Sequence, residues 1–591
     1  MKTKNISKIV EMAKGFVPFY LFTLLLLLTS CNDFLDALPD DRIEIDKVEK
    51  VEALVTSAYP ADTYVRLTEL ASDNVDDLNG ELNGNYDKFS EQCYRWQEVT
   101  ESDNENPAMV WQGHYAAIAA ANHALQAIDE LGGPTTDELR ALRGEALLCR
   151  AYSHFILTNL FCLNYSKQHS ETDLGVPYIT EPESTLNPHY ERPSVAEDYR
   201  LIEKDLLEGL SLMSDIVYTN PRYHFNSKAA YTFASRFYLF YQQPEKVITY
   251  ATKALGDNPE SLMRDFDVMQ SMPTDNMQPR AMQYVSASEQ ANFLLLPVIS
   301  SDAFYFQGYS TGARFNTNHY IGQAELFFPT PWRPENSTAA ESQYLFRFYW
   351  FYSQQYDKFL LPKTPYYFEE VNPNNHTGYY RTVVVAFKAE EAVLNRAEAH
   401  AILGNTDKAL ADMNIWTHSF LPDTLTYVSG GHYNWDPFEY VIDYAQEKIN
   451  RDLTMELIHK WHHTYDYYTP DRPMPRKHLH PEWINLTEGS DQECLLQTVL
   501  FLRRLEFLHE GMRWFDIKRY GITIYRREIN SALNALTLTD TLEYRDPRQA
   551  IQLPFEVRGA GLEANPRPAN ESAVNEYRDW TPKGEMIEFK K

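Results

Sequence analysis

The sequence predicts a mainly α-helical protein, in which tetratricopeptide-like helical hairpins form a scaffold and a large loop-rich region forms one face. Three observations support this fold class. Alanine-rich segments carry apolar residues three and four positions apart, which is the spacing of one helix face. These segments recur along the chain in pairs divided by glycine, asparagine or proline. Between the second and third pairs lies a long segment of different composition, residues 257–380.

The first predicted hairpin has clear boundaries. Its first helix carries Ile118 and Leu125 on one face and ends at Gly-Gly-Pro, residues 132–134. Thr136 then precedes a second helix as a capping residue does. The same pattern returns three times. The predicted helical repeats span about residues 111–162, 195–256, 385–418 and 495–521.

The segment at residues 257–380 is rich in proline, asparagine, glycine, serine and aromatic residues. Seventeen aromatic residues lie between Phe304 and Tyr356. A segment of this length is not a simple connector, so we expect it to pack on the helical scaffold. Long ordered loops on a rigid scaffold commonly carry function. The sequence therefore predicts a variable, functional face here.

The N-terminal segment predicts export and lipid anchoring. Lysines up to Lys14 precede an apolar run from Phe16 to Leu28, and the small residues Thr-Ser then precede Cys31. This order is typical of a secretory signal, and a cysteine directly after Leu-Thr-Ser is similar to a bacterial lipobox. We predict that residues 1–30 are a lipoprotein signal peptide and that Cys31 is the lipidated mature N-terminus. An ordinary signal peptide with a chance cysteine is the alternative.

Composition restricts the classes of partner. The formal net charge is −29 at pH 7, which repels nucleic acid and acidic polysaccharides. Neutral glycans, peptides and cationic partners remain compatible with this charge. Besides Cys31, the scattered cysteines form no CxxC pair, so the sequence predicts neither a zinc knuckle nor a redox motif. Buried free thiols or one disulfide are both compatible with Cys93, Cys149, Cys162 and Cys494.

Two motifs match catalytic patterns only in part. The run Gly308-Tyr-Ser-Thr-Gly312 has the spacing of a hydrolase nucleophile elbow, but the residues after it do not predict the required helix. Glu456, His459 and His463 would share one helix face, as zinc ligands do. However, Lys460 stands where a metalloprotease has its catalytic glutamate. The preferred interpretations are a loop interrupted by glycine for residues 308–312 and a polar helix face for Glu456, His459 and His463.

An acidic loop precedes the first repeat. Its acidic and amide side chains are Asp73, Asp76, Asp77 and Asn79, with Leu78 where an EF-hand has glycine. A loose calcium site, a solvated turn and hydrogen bonding to ligand hydroxyls are the alternatives. We predict no metal and no cofactor.

A charged block near the C-terminus, residues 503–519, predicts a buried ion-pair cluster. Its Glu506 and Glu510 are four positions apart and lie between Arg503 and Arg513, with two aromatic residues following. Arginine–carboxylate bonds beneath aromatic packing would hold two helices together. We therefore predict a structural role for this block and no catalytic one.

This block closely resembles the C-terminal signature of the SusD/RagB family, the surface lipoproteins of bacterial starch-utilisation-type systems. Other segments are similar to family segments and follow in the family's order, although residues 257–380 match none. These segments are Cys31–Asp36, Trp111–Asn122, Lys228–Leu239, Leu394–Ala401 and Arg545–Pro566.

The resemblance implies a single domain over residues 31–591, with four hairpins and a ligand-binding face formed by variable loops. It implies a surface lipoprotein of the outer membrane that delivers a nutrient to a TonB-dependent SusC-like transporter barrel, without catalysis. We expect the nutrient to be an oligosaccharide, with an oligopeptide as the alternative. A surface glycoside hydrolase and a pure scaffold or adhesin are the competing classes, and turnover of the bound ligand would indicate the enzyme.

Sugars present apolar C–H faces and hydroxyls, so an aromatic platform with planar polar side chains suits them. We expect exposed loops to supply the platform, because the helical aromatic residues are needed for packing. The segments Asp73–Trp96 and Phe304–Tyr356 meet this condition. The predicted ligand-binding residues are Asp73, Asn74, Trp96, Tyr305, Tyr309, Trp332 and Trp350.

Overall fold

Helices form most of the scaffold in the computed structural model of this chain. The structure describes residues 47–567 and 578–580, except 79–86, 103–104, 184–187, 274–275, 308–312, 333–344, 346–350, 354–356, 436–437, 471 and 531–534. From Val48 onward the chain forms one compact unit. Among the residues described, no helix has the length and apolar character needed to cross a membrane.

The longest α-helices lie in the regions that the sequence predicts, and shorter α-helices lie between these regions and on either side of them. They are α1 Val48–Thr56, α2 Val65–Ala71, α3 Lys88–Tyr94, α4 Pro107–Glu130, α5 Asp137–Phe161, α6 Val195–Leu212, α7 Ser227–Phe240, α8 Pro244–Leu255, α9 Phe266–Gln270, α10 Gln278–Tyr284, α11 Asp302–Gln307, α12 His319–Ile321, α13 Ala389–Ile402, α14 Thr406–Phe420, α15 Met455–Thr464, α16 Asp491–Glu506, α17 Arg513–Tyr520 and α18 Phe555–Gly559. The mainly α-helical prediction is confirmed.

Strands occupy the segments between these helices. They are β1 Asp76–Asp77, β2 Asn292–Ile299, β3 Phe315–Asn316, β4 Phe351–Ser353, β5 Lys358–Leu360, β6 Tyr367–Asn372, β7 Thr377–Lys388, β8 Thr424–Trp435, β9 Phe438–Lys448, β10 Ile524–Asn530, β11 Ala535–Leu542 and β12 Arg578–Trp580. They form sheets in the orders β12-β11-β10-β1-β3, β2-β7-β6, β4-β5 and β8-β9.

The first predicted hairpin is formed by α4 and α5. Gly132 and Gly133 follow α4 with φ values of +98° and +85°, which glycine adopts without a steric cost. The Thr136 hydroxyl then accepts a hydrogen bond from the backbone N of Leu139 at 3.1 Å and caps α5. The turn and cap signals of the sequence therefore define this hairpin correctly.

The helical stack also joins helices that are distant in sequence. Helix α5 packs on α6 as well as on α4, and α8 packs on α13. Gly144 and Gly209 allow the α5–α6 approach, because a Cβ on Gly144 would lie 3.0 Å from the Gly209 carbonyl oxygen. The segment between α8 and α13 is thus an insertion whose two ends are held side by side by the scaffold.

This insertion contains a sheet that the sequence analysis did not anticipate. Strands β2, β7 and β6 pair in antiparallel fashion, and β7 runs directly into α13. The expectation of an irregular region over residues 257–380 is therefore wrong for these strands. The described cysteines are buried free thiols, which confirms that alternative for Cys93, Cys149, Cys162 and Cys494.

Candidate functional site

Three aromatic rings, two of them exposed and one half-buried, form a cluster on the three-stranded sheet. Phe304 of α11 stacks on Tyr380 of β7, with ring centroids 5.6 Å apart and ring planes 23° apart. Phe368 of β6 contacts the same Tyr380 ring, with centroids 5.3 Å apart and planes at 58°. Phe304 and Phe368 are 43% and 47% exposed. We call these three residues the aromatic cluster; its open ring surface is available to stack on a ligand.

Local structure fixes the positions of these rings. Phe368 and Tyr380 lie directly opposite each other in the β6–β7 pairing, and cross-strand aromatic pairs stabilise such hairpins. Phe304 lies just after β2, where the buried Glu105 accepts hydrogen bonds from the backbone N and the hydroxyl of Ser301, both at 2.9 Å. Glu105 therefore fixes the start of α11 and holds Phe304 against β7.

Acidic side chains near the start of α11 have raised pKa values. Burial, and then the charge of Glu105, raise the pKa of Asp62 to about 6, although Arg381 lowers it. The same two causes raise the pKa of Asp302 well above its usual range. Burial and the charge of Glu105 thus both disfavour the charged forms of these two carboxyl groups.

An internal cavity lies between the helical scaffold and the three-stranded sheet. Its volume is about 50 Å³, and its lining includes Tyr64, His114, Leu296 and Glu510. This volume has room for about three to five water molecules and is too small for a sugar ring. Burial lowers the pKa of His114 to about 3, so its ring is neutral. The aromatic cluster, and not this cavity, is the candidate ligand site.

Comparison with known proteins finds two similarities to SusD-like proteins. A SusD-like family model, described as "Starch-binding associating with outer membrane", matches residues 33–239. A curated SusD-like protein of Formosa agariphila is 21% identical over 585 residues, which cover 91% of this chain and 95% of that protein. These two matches confirm the resemblance to SusD-like proteins that the sequence predicts.

Solved structures agree with the fold of this SusD-like chain. A SusD-like carbohydrate binding protein from Bacteroides vulgatus has a TM-score of 0.55 at 16% identity, covering 87% of this chain and 96% of its own. A SusD superfamily protein from Bacteroides thetaiotaomicron has a TM-score of 0.54 at 18% identity, covering 88% and 100%. The predicted family and the predicted fold are both confirmed.

Asp73 and Asn74, which we expected to face a ligand, are buried in the SusD-like chain. Asp73 accepts two hydrogen bonds from the Arg513 guanidinium, both at 2.8 Å. Asn74 donates to Glu69 at 2.9 Å and accepts from Arg504 at 2.8 Å. These contacts tie the segment after α2 to helices α16 and α17. The expectation that the two side chains are exposed is therefore wrong, and their contact with a ligand stays a prediction.

Three of the predicted aromatic residues are buried as well. Trp96 donates from Nε1 to the Ala71 carbonyl oxygen at 2.9 Å, and the Tyr305 hydroxyl donates to the Phe315 carbonyl oxygen at 2.8 Å. Trp332 is also buried. Packing of the long loops uses these rings, which corrects the expectation of exposure; their contact with a ligand stays a prediction. Cys31, Tyr309 and Trp350 lie outside the described residues.

The SusD-like chain builds its exposed cluster mainly from a hairpin that sequence analysis missed. Only Phe304 lies within the predicted aromatic segment. Phe368 and Tyr380 belong to aromatic runs on either side of Asn-Pro-Asn-Asn, residues 372–375. Strand-forming runs around turn residues are the signature of a hairpin. The sequence therefore contains the hairpin signal, but it lies beyond Tyr356, where the predicted aromatic segment ends.

The predicted metal-like motifs are used in other contacts. Asp76 and Asp77 each accept hydrogen bonds from an arginine, at 2.9 Å and 2.8 Å respectively. His459 of α15 lies 2.9 Å from Asp491. Within the described part of the chain, no group of three or more His, Cys, Asp and Glu side chains is placed to hold a metal ion. Asn79 and residues 308–312 lie outside that part.

The C-terminal block of the SusD-like chain forms a buried ion-pair network. Asp516 accepts hydrogen bonds from Arg503 at 2.9 Å and from Arg519 at 2.6 Å. Arg519 also donates to Glu398 of α13 at 2.7 Å. Because these groups are buried and mutually paired, they join α16, α17 and α13, as the predicted structural role requires.

The partners of two glutamates in this block differ from the prediction. Glu506 and Glu510 contact the ammonium group of Lys388, at 2.7 Å and 2.6 Å, and not Arg503 or Arg513. Helix α16 ends at Glu506, so Glu510 lies in the turn before α17. The end of β7 therefore supplies the cation that the sequence pattern assigned to arginine.

Proposed function

We propose that this chain is a lipid-anchored surface protein of the outer membrane that captures a neutral oligosaccharide and delivers it to a TonB-dependent SusC-like transporter. The aromatic cluster of Phe304, Phe368 and Tyr380 is the observation that carries the proposal, because two of its rings are exposed and sugar C–H faces stack on open aromatic rings. The description of the matching family names starch binding and the outer membrane, and supports this ligand class and location.

The electrostatics support a neutral ligand. The chain carries a net charge of −29, which disfavours acidic saccharides. We propose that the bound saccharide is not cleaved. A glycoside hydrolase needs two carboxyl groups that flank the bound sugar. In this chain the carboxylates of Asp73, Asp76 and Asp77 are each bonded to arginine, which supports binding without catalysis.

A glycan array followed by calorimetry tests the proposal. The soluble form that begins after Cys31 should bind a subset of neutral oligosaccharides. Combining Phe304→Ala, Phe368→Ala and Tyr380→Ala should weaken that binding at least tenfold, because stacked aromatic contacts contribute about 1 kcal/mol each. Phe555→Ala is the matched control, since Phe555 is an exposed ring on a different element, α18.

Three results would contradict parts of the proposal. Normal binding by the folded triple variant would move the site away from the aromatic cluster. Binding of oligopeptides in place of glycans would change the ligand class. Release of shortened saccharides during incubation, measured by chromatography, would show an enzyme.

A further inference from the structure

The β8–β9 ribbon carries a second exposed aromatic surface. Val428, Tyr433, Tyr440, Ile442 and Tyr444 are between 47% and 65% exposed. Tyr433 pairs with Tyr440 and Val428 pairs with Tyr444 across the ribbon. Since side chains alternate along a strand, this register places all five on one face. We call these five residues the ribbon face.

The acidic side chains of β9 occupy the opposite face. Glu439, Asp443 and Glu447 stand at the alternate positions of the strand. Asp443 also contacts His432 of β8 at 3.0 Å. Strand alternation therefore keeps the acidic side chains of β9 away from the five residues of the ribbon face, in a chain whose net charge is −29. An uncharged face with three tyrosine hydroxyls suits a neutral, hydroxyl-rich ligand.

A glycine sets the orientation of one ring on this face. A Cβ on Gly431 would meet the hydroxyl oxygen of Tyr440 and would lie only 2.6 Å from its Cζ. The ring of Tyr440 therefore occupies the space over the glycine, across the ribbon. Tyr433 stands against it, with centroids 4.9 Å apart and planes at 62°. Because the two rings stand at an angle, a sugar ring can stack on Tyr440 and contact Tyr433 from the side.

The size of the ribbon face favours a saccharide over a protein partner. Tyr440 and Tyr444 are four residues apart on β9, which is about 14 Å along a strand. Across two strands this gives a narrow strip of five residues, whereas each partner in a stable protein complex uses about 20–30 residues and buries about 800 Å². Among the described elements, β8 and β9 make extensive contacts only with each other, so none of these elements packs extensively on the face.

We propose that the ribbon face binds a neutral polysaccharide at a point separate from the aromatic cluster. This inference rests on the proposed function and extends it by giving one polymer two contacts with the protein. Binding at the second contact is then intramolecular, which raises the apparent affinity for long chains without changing either site. Short oligosaccharides gain nothing from the ribbon face.

This inference can be tested by affinity electrophoresis of the soluble form in gels that contain starch, dextran or galactomannan. Tyr440→Ala and Tyr444→Ala should each weaken the apparent affinity for a retarding polysaccharide about three- to tenfold. Gly431→Ala should do the same, because the added Cβ displaces the Tyr440 ring. Gly430→Ala is the matched control: its Cβ would meet only Asp443, at 3.9 Å, so it should migrate as the unmodified chain does.

The outcomes separate this inference from the proposed function. Unchanged retardation of all ribbon variants, with loss in the Phe304, Phe368 and Tyr380 triple variant, overturns the ribbon site alone. Loss in the ribbon variants only supports the ribbon site and refutes the aromatic cluster. No retardation in any gel refutes both. A sedimentation coefficient that changes in Tyr440→Ala without saccharide would make the face a self-association surface and overturn the proposal.

Discussion

Replacing Glu510 by alanine should destabilise the fold by about 3–5 kcal/mol and leave saccharide binding intact. The Glu510 carboxylate lies 2.6 Å from the ammonium nitrogen of Lys388 and 3.0 Å from that of Lys363. It also accepts a hydrogen bond from the Tyr284 hydroxyl at 2.7 Å. Burial alone would raise the pKa of Glu510, but the two lysines lower it to about 2. The carboxylate is therefore charged and matched by cations in the folded state.

The magnitude follows from what the substitution leaves behind. Glu506, 2.7 Å from Lys388, would then be the only one of the two glutamates left to balance both buried ammonium groups. Lys363 would keep backbone acceptors such as the Leu508 carbonyl oxygen, 3.1 Å away. Removal of one partner from a buried ion pair costs about 3–5 kcal/mol, because the remaining charge stays desolvated. The stabilisation by the charged Glu510 carboxylate is fully present above pH 4.5, near the pKa of this group in the unfolded chain. It is lost as the pH falls through about 2, the pKa of Glu510 in the folded chain.

Urea unfolding at pH 7 measures the effect. Glu369→Ala is the matched control, since Glu369 forms an exposed pair with Arg381 and such pairs contribute at most about 1 kcal/mol. Calorimetry with the array-selected oligosaccharide should give the same affinity for folded Glu510→Ala as for the unmodified chain. An unchanged urea midpoint combined with lost binding would refute the structural assignment and make Glu510 a ligand-binding residue.

Two further predictions concern a buried acid and the membrane anchor. Burial raises the pKa of Glu69 to about 7, above its usual 4.5, so the free energy of unfolding should fall as pH rises between these values. The urea midpoint of the unmodified chain should therefore be lower at pH 8 than at pH 5, and that of Glu69→Gln should not show this decrease. An equal change of the midpoint in both proteins would contradict the prediction. Cys31→Ala should release the chain from membranes, which can be measured by fractionating cells that lack the transporter. Continued sedimentation of the variant with the outer membrane would exclude Cys31 as the anchor.

The helical scaffold could be predicted because its signals are local. The apolar spacing of α4, the positive-φ pair Gly132 and Gly133, and the Thr136 cap all act within a few residues. Each of these signals favours the same hairpin without reference to the rest of the chain. The pairing of α8 with α13 could not be read in this way, because a whole sheet is inserted between them.

The predicted site failed where long-range pairing decides exposure. Asp73 lies in a sequence that is typical of a solvated loop, yet its partner Arg513 is 440 residues away. Trp96 likewise packs under the guanidinium of Arg526, 4.4 Å from its ring. An acidic or aromatic residue has no local signal that distinguishes a buried partner from solvent. The exposed ring of Phe368 and its half-buried partner Tyr380 instead belong to a hairpin, which is a local feature that lies outside the predicted aromatic segment, residues 304–356.

The two exposed aromatic surfaces are connected through one packed element. Strand β7, which carries Tyr380, leads directly into α13, and β8, which carries Tyr433, follows α14. Helices α13 and α14 pack on each other and on the scaffold, so the strands that carry the two surfaces begin at one packed hairpin. Because the two surfaces lie on different sheets, binding at both depends on saccharide length. Tyr440→Ala should therefore weaken binding of a polysaccharide while leaving that of its trisaccharide unchanged in calorimetry. An equal loss for both lengths would mean that the two surfaces act as one site.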